Sequence, residues 1–238
     1  MSYENFRDLL VKGDLTQLQS LVNDSEDMVM LSADSKFIWE RLREEHMPAV
    51  LDIMKKSVYE NEGICKILDL NKRIISKKHT DSLIIDIAKA GCSLVAVEIE
   101  TEKVVGISMN IMQTTEGAEI FDFFDVQWAM YVVYFATHPD YLNQGIGTGT
   151  LKANFELASL FFNGEADIIS FDGSRSDGPT VEALVGVFTT KASHKIAVTL
   201  NWEEIQEFYY INLLENHKKY INVNKELKRV MILPFVWA

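Results

Sequence analysis

The sequence predicts an α+β fold in which helices flank one mixed, mostly antiparallel β-sheet. The first observation is the order of strand-like and helical patterns along the chain, which reads β-α-α-β-β-β-α-β-α-β-β. The second is a hairpin pattern, two strand-like runs separated by a short turn. The third is a single β-α-β unit in the middle of the chain, which requires a parallel crossover. Regular alternation, typical of a doubly wound fold, is absent.

The composition excludes several classes of protein. The chain has 238 residues, of which 47% are hydrophobic and 24% are charged, so it carries enough apolar material for a packed core. A formal net charge of −12 argues against nucleic-acid partners and against docking on anionic membranes. The longest run without Asp, Glu, Lys or Arg is 126–139, shorter than the ~18 residues of a spanning helix.

The N-terminus and the cysteines predict a cytoplasmic protein. No apolar signal segment is visible at the N-terminus. Cys65 and Cys92 show no metal-ligand spacing, and we expect them to be reduced thiols. No metal cofactor is therefore expected.

A helical extension precedes the predicted domain. Apolar residues recur at helical spacing within residues 1–33, and the polar stretch 23–35 predicts a loop. We therefore divide the chain into an N-terminal extension, 1–35, and one domain, 36–238.

The elements of the domain follow from the spacing of apolar residues. Residues 37–42 alternate as a strand does, and 130–137 are almost wholly apolar, β-branched or aromatic, as in a buried central strand. Residues 101–103 suit a hairpin turn. The predicted strands are 37–42, 93–99, 104–112, 130–137, 183–189, 203–212 and 227–236, and the predicted helices are 44–59, 72–90, 147–162 and 193–200.

The most informative segment leads from the central strand through a glycine-containing turn into a helix. Pro139 ends the strand, and Gly145 and Gly147 let the backbone approach a ligand closely. Such a loop aims N–H groups into one concavity beside a helix N-terminus, which predicts an anion site suited to phosphate. A dinucleotide fingerprint requires glycine where Thr150 stands, and no Walker A motif is present. A tight turn without a ligand is the structural alternative.

This segment resembles the acetyl-CoA-binding motif of the GNAT family of N-acetyltransferases. The family pattern is roughly V-x-P-x-(Y)-R/Q-x-x-G-x-G/A, and residues 137–147 read T-H-P-D-Y-L-N-Q-G-I-G. The order of elements over about 36–237 is similar as well. Further segments resemble the insect arylalkylamine N-acetyltransferase-like branch: 57–65 (S-V-Y-E-N-E-G-I-C, at the place of D-E-P-L-C), 93–97 with 104–107, and 188–196 (F-T-T-K-A-S-H-K-I, at the place of F/C-[ST]-S-x-x-S).

The resemblance implies acetyl-CoA as acyl donor and a small primary amine, arylalkylamine or polyamine-like, as acceptor. Glu62 matches the catalytic base of the branch, and Thr189 and Ser193 match its proposed hydrogen-bond donors to the departing thiolate. The implied acetyl-CoA-binding residues are Phe135, Ala136, Thr137, Leu142, Asn143, Gln144, Gly145, Ile146, Gly147 and Thr148.

Each role has a structural alternative. Glu62 could be a solvated loop carboxylate, Ser193 could cap the helix that follows, and His138 and His194 are typical of surface or capping histidines. The aromatic cluster Phe121, Phe123, Phe124, Trp128 and Tyr131 suits either an acceptor wall or core packing.

Two departures from the family pattern favour a second hypothesis. Leu142 stands where the family has Arg or Gln, and Ala197 stands near the place of its usual tyrosine general acid. A diverged protein that binds acyl-CoA without catalysis is therefore the alternative. The oligomeric state stays open.

Overall fold

The computed structural model describes residues 28–31, 36–62, 65, 74–114, 126–209 and 227–234. The strands are β1 (Met28–Leu31), β2 (Phe37–Arg41), β3 (Leu94–Glu98), β4 (Lys103–Thr114), β5 (Trp128–Thr137), β6 (Ile168–Ile169), β7 (Arg175–Ser176), β8 (Ala183–Phe188), β9 (Glu203–Tyr209) and β10 (Leu227–Pro234). The helices are α1 (Met47–Ile53), α2 (Ile74–Lys89), α3 (Ile146–Asn163) and α4 (Lys191–Thr199). One π-helical segment, Met54–Tyr59, continues α1, and short 3-10 turns lie at Glu44–His46 and Pro139–Tyr141.

Eight strands form one sheet in the order β1-β2-β3-β4-β5-β8-β10-β9. Every neighbouring pair in it is antiparallel except β5 and β8, which run parallel and are joined through α3. The two short strands β6 and β7 form a separate hairpin. The predicted mixed sheet with a central β-α-β unit is confirmed.

Helices cover both faces of the sheet. One core packs α3 and α4 against the sheet, with Trp39 and Leu184 among its buried members. The other core packs α1 and α2 against the opposite face, around Val95 and Ile107. The described helices include none that is long and apolar enough to cross a bilayer.

The structure changes some predicted boundaries. The polar composition of residues 23–35 predicts a loop, but Met28–Leu31 form an edge strand. Backbone hydrogen bonds to the antiparallel partner β2 stabilise this strand despite the polar residues on either side of it. Helix α4 begins at Lys191 instead of 193, since Thr190 caps it. Most of the extension 1–35 and the predicted strand ends at 210–212 and 235–236 lie outside the described residues.

Candidate functional site

Strand β5 carries one extra residue relative to β4. The register pairs Tyr134 with Met109 and Val132 with Asn110, so Val133 stands between two consecutive partners on β4. This two-against-one arrangement is a β-bulge. The Val133 side chain is 38% exposed, whereas every other residue of β5 is buried or half-buried. The bulge therefore presents the centre of β5 to the neighbouring open space.

The parallel pairing between β5 and β8 covers four of the ten residues of β5. It begins at Ala129–Ala183 and ends at Val132–Gly186, although β5 continues to Thr137. The two strands therefore diverge beyond the bulge. In an extended strand, successive N–H and C=O groups point to opposite edges, so part of the backbone of 133–137 faces this gap.

Two aromatic rings line the gap between the diverging strands. Phe135 on β5 meets Phe188 on β8 edge to face, with ring centroids 6.0 Å apart. Phe188 meets Trp202 in the same way at 5.2 Å. These contacts belong to the core beneath α3 and α4, so they hold the diverging ends of both strands in place.

A cleft of about 1040 Å³ lies over this gap. It is lined by residues 132–137 of β5, by the loop before α3 and by the start of α4. Glu62, Cys65 and the α2 residues Thr80 and Leu83 line the same cleft. One continuous space therefore connects a helix N-terminus to a carboxylate.

The loop before α3 adopts the backbone that an anion site requires. Asn143 and Gly145 have positive φ angles of 62° and 81°. A Cβ on Gly145 would meet no atom within 4 Å. Glycine is therefore favoured at this position by the positive φ angle, and not by a lack of space for a side chain. At Gly147 the reason is proximity, since a Cβ would lie 3.2 Å from Ile196 Cδ1 on α4. The first N–H groups of α3 have no intrahelical acceptors and lie at the positive end of its dipole.

Hydrogen bonds tie this loop to the sheet. The His138 N–H donates to the Val105 carbonyl at 2.8 Å, where β5 ends. Lys36 Nζ donates to Gln144 Oε1 at 2.6 Å. The Tyr141 hydroxyl donates to Glu98, whose hydrogen bonds, chiefly from the Thr101 hydroxyl, hold the pKa of that carboxyl below its usual range.

Glu62 follows the π-helical segment. Its Oε2 accepts a hydrogen bond of 3.0 Å from the Cys65 N–H, which fixes the carboxylate at the wall of the cleft. Burial raises the pKa of the neighbouring Tyr134 hydroxyl, and the charges of Cys65 and Glu62 act in the same direction. Burial also raises the pKa of Tyr59, which donates to Asp81 at 3.3 Å. Both phenols are therefore neutral hydrogen-bond donors near neutral pH.

The two hydroxyls near α4 differ in their surroundings. Ser193 belongs to a capping box: its hydroxyl bonds the Thr190 carbonyl at 3.0 Å, and its N–H donates to Thr190 Oγ1 at 3.1 Å. Ser193 is therefore not the N-cap that the sequence suggested as its structural role: Thr190 occupies that position, and Ser193 completes the capping box as the third helical residue. Thr189 is half-buried and lines the cleft. Ala197 is fully buried in the core, so it offers nothing to the cleft.

Solved structures share this architecture. No protein-family profile matches the sequence, and no curated protein matches it. The crystal structure of a putative arylalkylamine N-acetyltransferase 7 from the yellow fever mosquito matches with a TM-score of 0.71 at 15% identity, covering 87% of this chain and 94% of that one. Arylalkylamine N-acetyltransferase 2 from Aedes aegypti matches with a TM-score of 0.64 at 13% identity, covering 84% and 99%.

A third similar structure is the Drosophila melanogaster polyamine N-acetyltransferase, described as catalysing the formation of N-acetylagmatine. Its TM-score is 0.59 at 10% identity, covering 83% of this chain and 99% of that one. This chain has the GNAT fold. The expected fold is confirmed.

Within this GNAT fold, nearly all the residues predicted for the site lie around one cleft. Glu62, Thr189 and Ser193 line it. Gln144 is outside the lining and bonds Lys36 instead. The predicted binding residues that line the cleft are Phe135, Ala136, Thr137, Leu142, Asn143, Gly145, Ile146, Gly147 and Thr148.

Other candidates lie elsewhere. Tyr131 packs against a small core with Val126 and Ala129, which supports the packing interpretation for that ring, while 121–125 lie outside the described residues. His138 lies in a second, charged groove near Asp52, and His194 pairs with Glu204 at 3.3 Å. The described residues include no group of His, Cys, Asp or Glu side chains that could hold a metal ion.

Sequence reasoning missed several residues of the cleft. Val133, Tyr134 and Tyr59 lie beside the predicted residues, but apolar and aromatic side chains in a strand or helix give no signal that separates a cleft wall from a core. The bulge at Val133 has no sequence signature, since valine favours regular strands. Cys65 was expected to be a reduced thiol, and both it and Cys92 are free and buried.

Proposed function

We propose that this chain is an acetyl-CoA-dependent N-acetyltransferase that acetylates a small primary amine, arylalkylamine or polyamine-like. The observation that carries the proposal is the cleft over the diverging strands, which joins the anion-binding loop at α3 to the Glu62 carboxylate. A long acyl donor with phosphates at one end and a thioester at the other matches a cleft of that form. The similar solved structures named as amine N-acetyltransferases support the same chemistry.

Acyl-CoA binding would use backbone more than side chains. The N–H groups at the start of α3 would bind the pyrophosphate, because they are oriented, positive and free of intrahelical acceptors. The backbone of Phe135 to Thr137, no longer paired with β8, would bond the amide groups of the pantetheine arm as a further strand would. This arrangement directs the thioester towards the bulge.

The reaction would be a direct transfer. The amine nitrogen attacks the thioester carbonyl carbon, the C–S bond breaks, and the products are an N-acetylamine and free CoA. An alkylammonium ion has no lone pair, so Glu62 would accept its proton, directly or through one water molecule. The Cys65 N–H, 3.0 Å from Glu62 Oε2, orients this base.

The bulge at Val133 would stabilise the developing oxyanion. A backbone N–H that has lost its partner in the sheet is a donor held in place before the reaction begins, as electrostatic stabilisation requires. The departing thiolate would take a hydrogen bond from the hydroxyls near α4, which would relay to it the second amine proton, lost from the tetrahedral intermediate. Thr189 suits this role better than Ser193, whose hydroxyl is bound to the Thr190 carbonyl.

The experiment is thiol release from acetyl-CoA with a panel of amines: tryptamine, dopamine, spermidine and agmatine. Turnover with at least one amine and release of one thiol per N-acetylamine formed supports the proposal. Binding of acetyl-CoA by calorimetry without turnover of any amine supports the second candidate, a non-catalytic acyl-CoA-binding protein. Two observations favour that candidate: Leu142, 58% exposed beside the loop, and the buried Ala197.

A further inference from the structure

Phosphate binding in this cleft must work against the charge of the whole protein. The chain carries a formal net charge of −12, and CoA is itself a polyanion. In similar loops a basic or amide side chain assists the backbone, but here Leu142 lines the cleft at that position. Some other cation is needed for tight binding, because helix N–H groups carry only partial charge.

Among the described residues that line the cleft, Lys195 is the one lysine or arginine, and Glu62 is the one acidic residue. Lys195 lies on α4 and is exposed. It forms no ion pair with another described residue. Its ammonium group therefore remains available to a ligand.

The packing of α4 brings the segment that carries Lys195 close to the start of α3. The adjacent residue, Ile196, contacts the first turn of α3, where a Cβ on Gly147 would lie 3.2 Å from Ile196 Cδ1. Ile196 and Lys195 both border the cleft. The four-carbon side chain of a lysine on this helix can extend across the cleft towards the N–H groups that begin α3.

Other lysines near the loop are already engaged. Lys36 donates to Gln144 at 2.6 Å and lies 3.7 Å from the buried Glu98. Lys56 pairs with Asp52 at 2.6 Å. Neither lysine lines the cleft. The Lys36 charge is paired with residues that hold the loop, and the Lys56 charge is paired with Asp52 on α1.

We propose that Lys195 replaces the basic residue absent at Leu142 and binds the pyrophosphate of the acyl-CoA. The proposal rests on the proposed function, since it assigns a residue to the same cleft. Lys195 acts as a binding residue that sets affinity for the phosphorylated donor, and it takes no part in proton transfer.

The test is calorimetric titration of CoA into the full chain and two variants, Lys195→Met and Lys191→Met. Lys191 is a matched control, because it is an exposed lysine on the same helix that does not line the cleft. Removing a charge-assisted hydrogen bond to phosphate should weaken CoA binding about ten-fold in Lys195→Met and less than two-fold in Lys191→Met. Raising the salt concentration should weaken binding more in the wild type than in Lys195→Met, because salt screens the ion pair.

A second ligand, dephospho-CoA, shows whether Lys195 contacts the pyrophosphate or the 3′-phosphate of CoA. It keeps the pyrophosphate and lacks the 3′-phosphate, so the loss in Lys195→Met should be the same as with CoA. A loss that disappears with dephospho-CoA would place Lys195 at the 3′-phosphate and overturn the assignment. Equal affinities of wild type and Lys195→Met, or equal losses in both variants, would overturn it as well.

Failure of the proposed function is distinguishable from failure of this inference. If the wild type binds no CoA at all, the acyl-CoA cleft itself is wrong, and the role of Lys195 fails with it. Circular dichroism of each variant checks that the fold is intact, which we expect because both lysines are exposed. Lys195→Arg should retain CoA affinity, since it keeps the charge.

Discussion

The Tyr141 hydroxyl donates a hydrogen bond of 2.9 Å to Glu98 Oε2, joining the 3-10 turn that precedes the α3 loop to the end of β3. Glu98 is buried and also accepts from Thr101 at 2.6 Å. Through Lys36, the same carboxylate is linked to Gln144 on the far side of the loop. One buried carboxylate thus holds both ends of the loop that begins α3.

Tyr141→Phe should therefore loosen the loop. The change removes one hydrogen bond to a buried carboxylate, and we expect the free energy of unfolding to fall by about 1–2 kcal/mol. CoA affinity should fall by a few-fold, because the loop N–H groups lose their fixed orientation. Chemical denaturation and calorimetry measure the two effects. Ser159→Ala, which removes an exposed hydroxyl on α3, is the control, and equal effects of both changes would refute the link.

The lowered pKa of Glu98 predicts a dependence of stability on pH. The carboxyl group titrates below the value of about 4.3 that it has in an unfolded chain, so its ionised form stabilises the fold. This contribution is complete above that value and is lost as the pH falls through the lowered pKa. The difference in unfolding free energy between wild type and Glu98→Gln should therefore shrink as the pH falls below about 4. A difference that stays constant from neutral to acid pH would contradict the role of Glu98.

Glu62→Gln tests the proposed base. An amide cannot accept the amine proton, so kcat should fall by about 10²- to 10⁴-fold while acetyl-CoA affinity is unchanged. Steady-state kinetics with the best amine of the panel gives the first value and calorimetry the second. Glu60→Gln is the matched control, since Glu60 is exposed two residues away and does not line the cleft. Unchanged turnover in Glu62→Gln would remove this carboxylate from the mechanism.

Thr189→Val and Ser193→Ala should show which hydroxyl contributes to catalysis and which one stabilises the start of α4. Ser193→Ala breaks the capping box and should lower the unfolding free energy by about 1 kcal/mol, with little change in kcat. Thr189→Val keeps the shape of the side chain and removes its hydroxyl, so we expect kcat to fall while stability is nearly unchanged. Thermal unfolding and kcat are measured for both. The reverse pattern would assign the thiolate contact to Ser193.

Leu142→Arg should tighten CoA binding. A guanidinium at the edge of the cleft can add one charge-assisted hydrogen bond to phosphate, at most ~1.5–3 kcal/mol. Leu142 is 58% exposed, so solvent screening reduces the expected gain to about 5- to 10-fold in Kd. Calorimetry with CoA measures it, with Leu142→Gln as an uncharged comparison. An unchanged or weaker Kd would show that residue 142 does not face the phosphates.

The sequence alone located most of the elements, because their signals are local. The spacing of Val50 and its neighbours predicted the helix that begins near 44, and the run to Thr137 predicted the central strand. β1 was missed because four residues of an edge strand carry too little periodicity to stand out. The start of α4 was placed two residues late, since Thr190 and Ser193 are both acceptable caps and only the backbone selects between them.

For the site, the sequence determined the residue types and the loop: a glycine before α3 and another in its first turn, a carboxylate at 62 and hydroxyls at 189 and 193. Tertiary structure decided how they meet. The bulge at Val133 and the divergence of β5 from β8 depend on the pairing of Tyr134 with Met109 and of Val132 with Gly186, residues 25 and 54 positions apart in the sequence. Local sequence patterns carry no information about such pairings, because the register between two strands is set by which face of the sheet packs into the core. The same tertiary packing brings Lys195 on α4 into the lining of the cleft that the loop also lines, and no sequence motif indicates this.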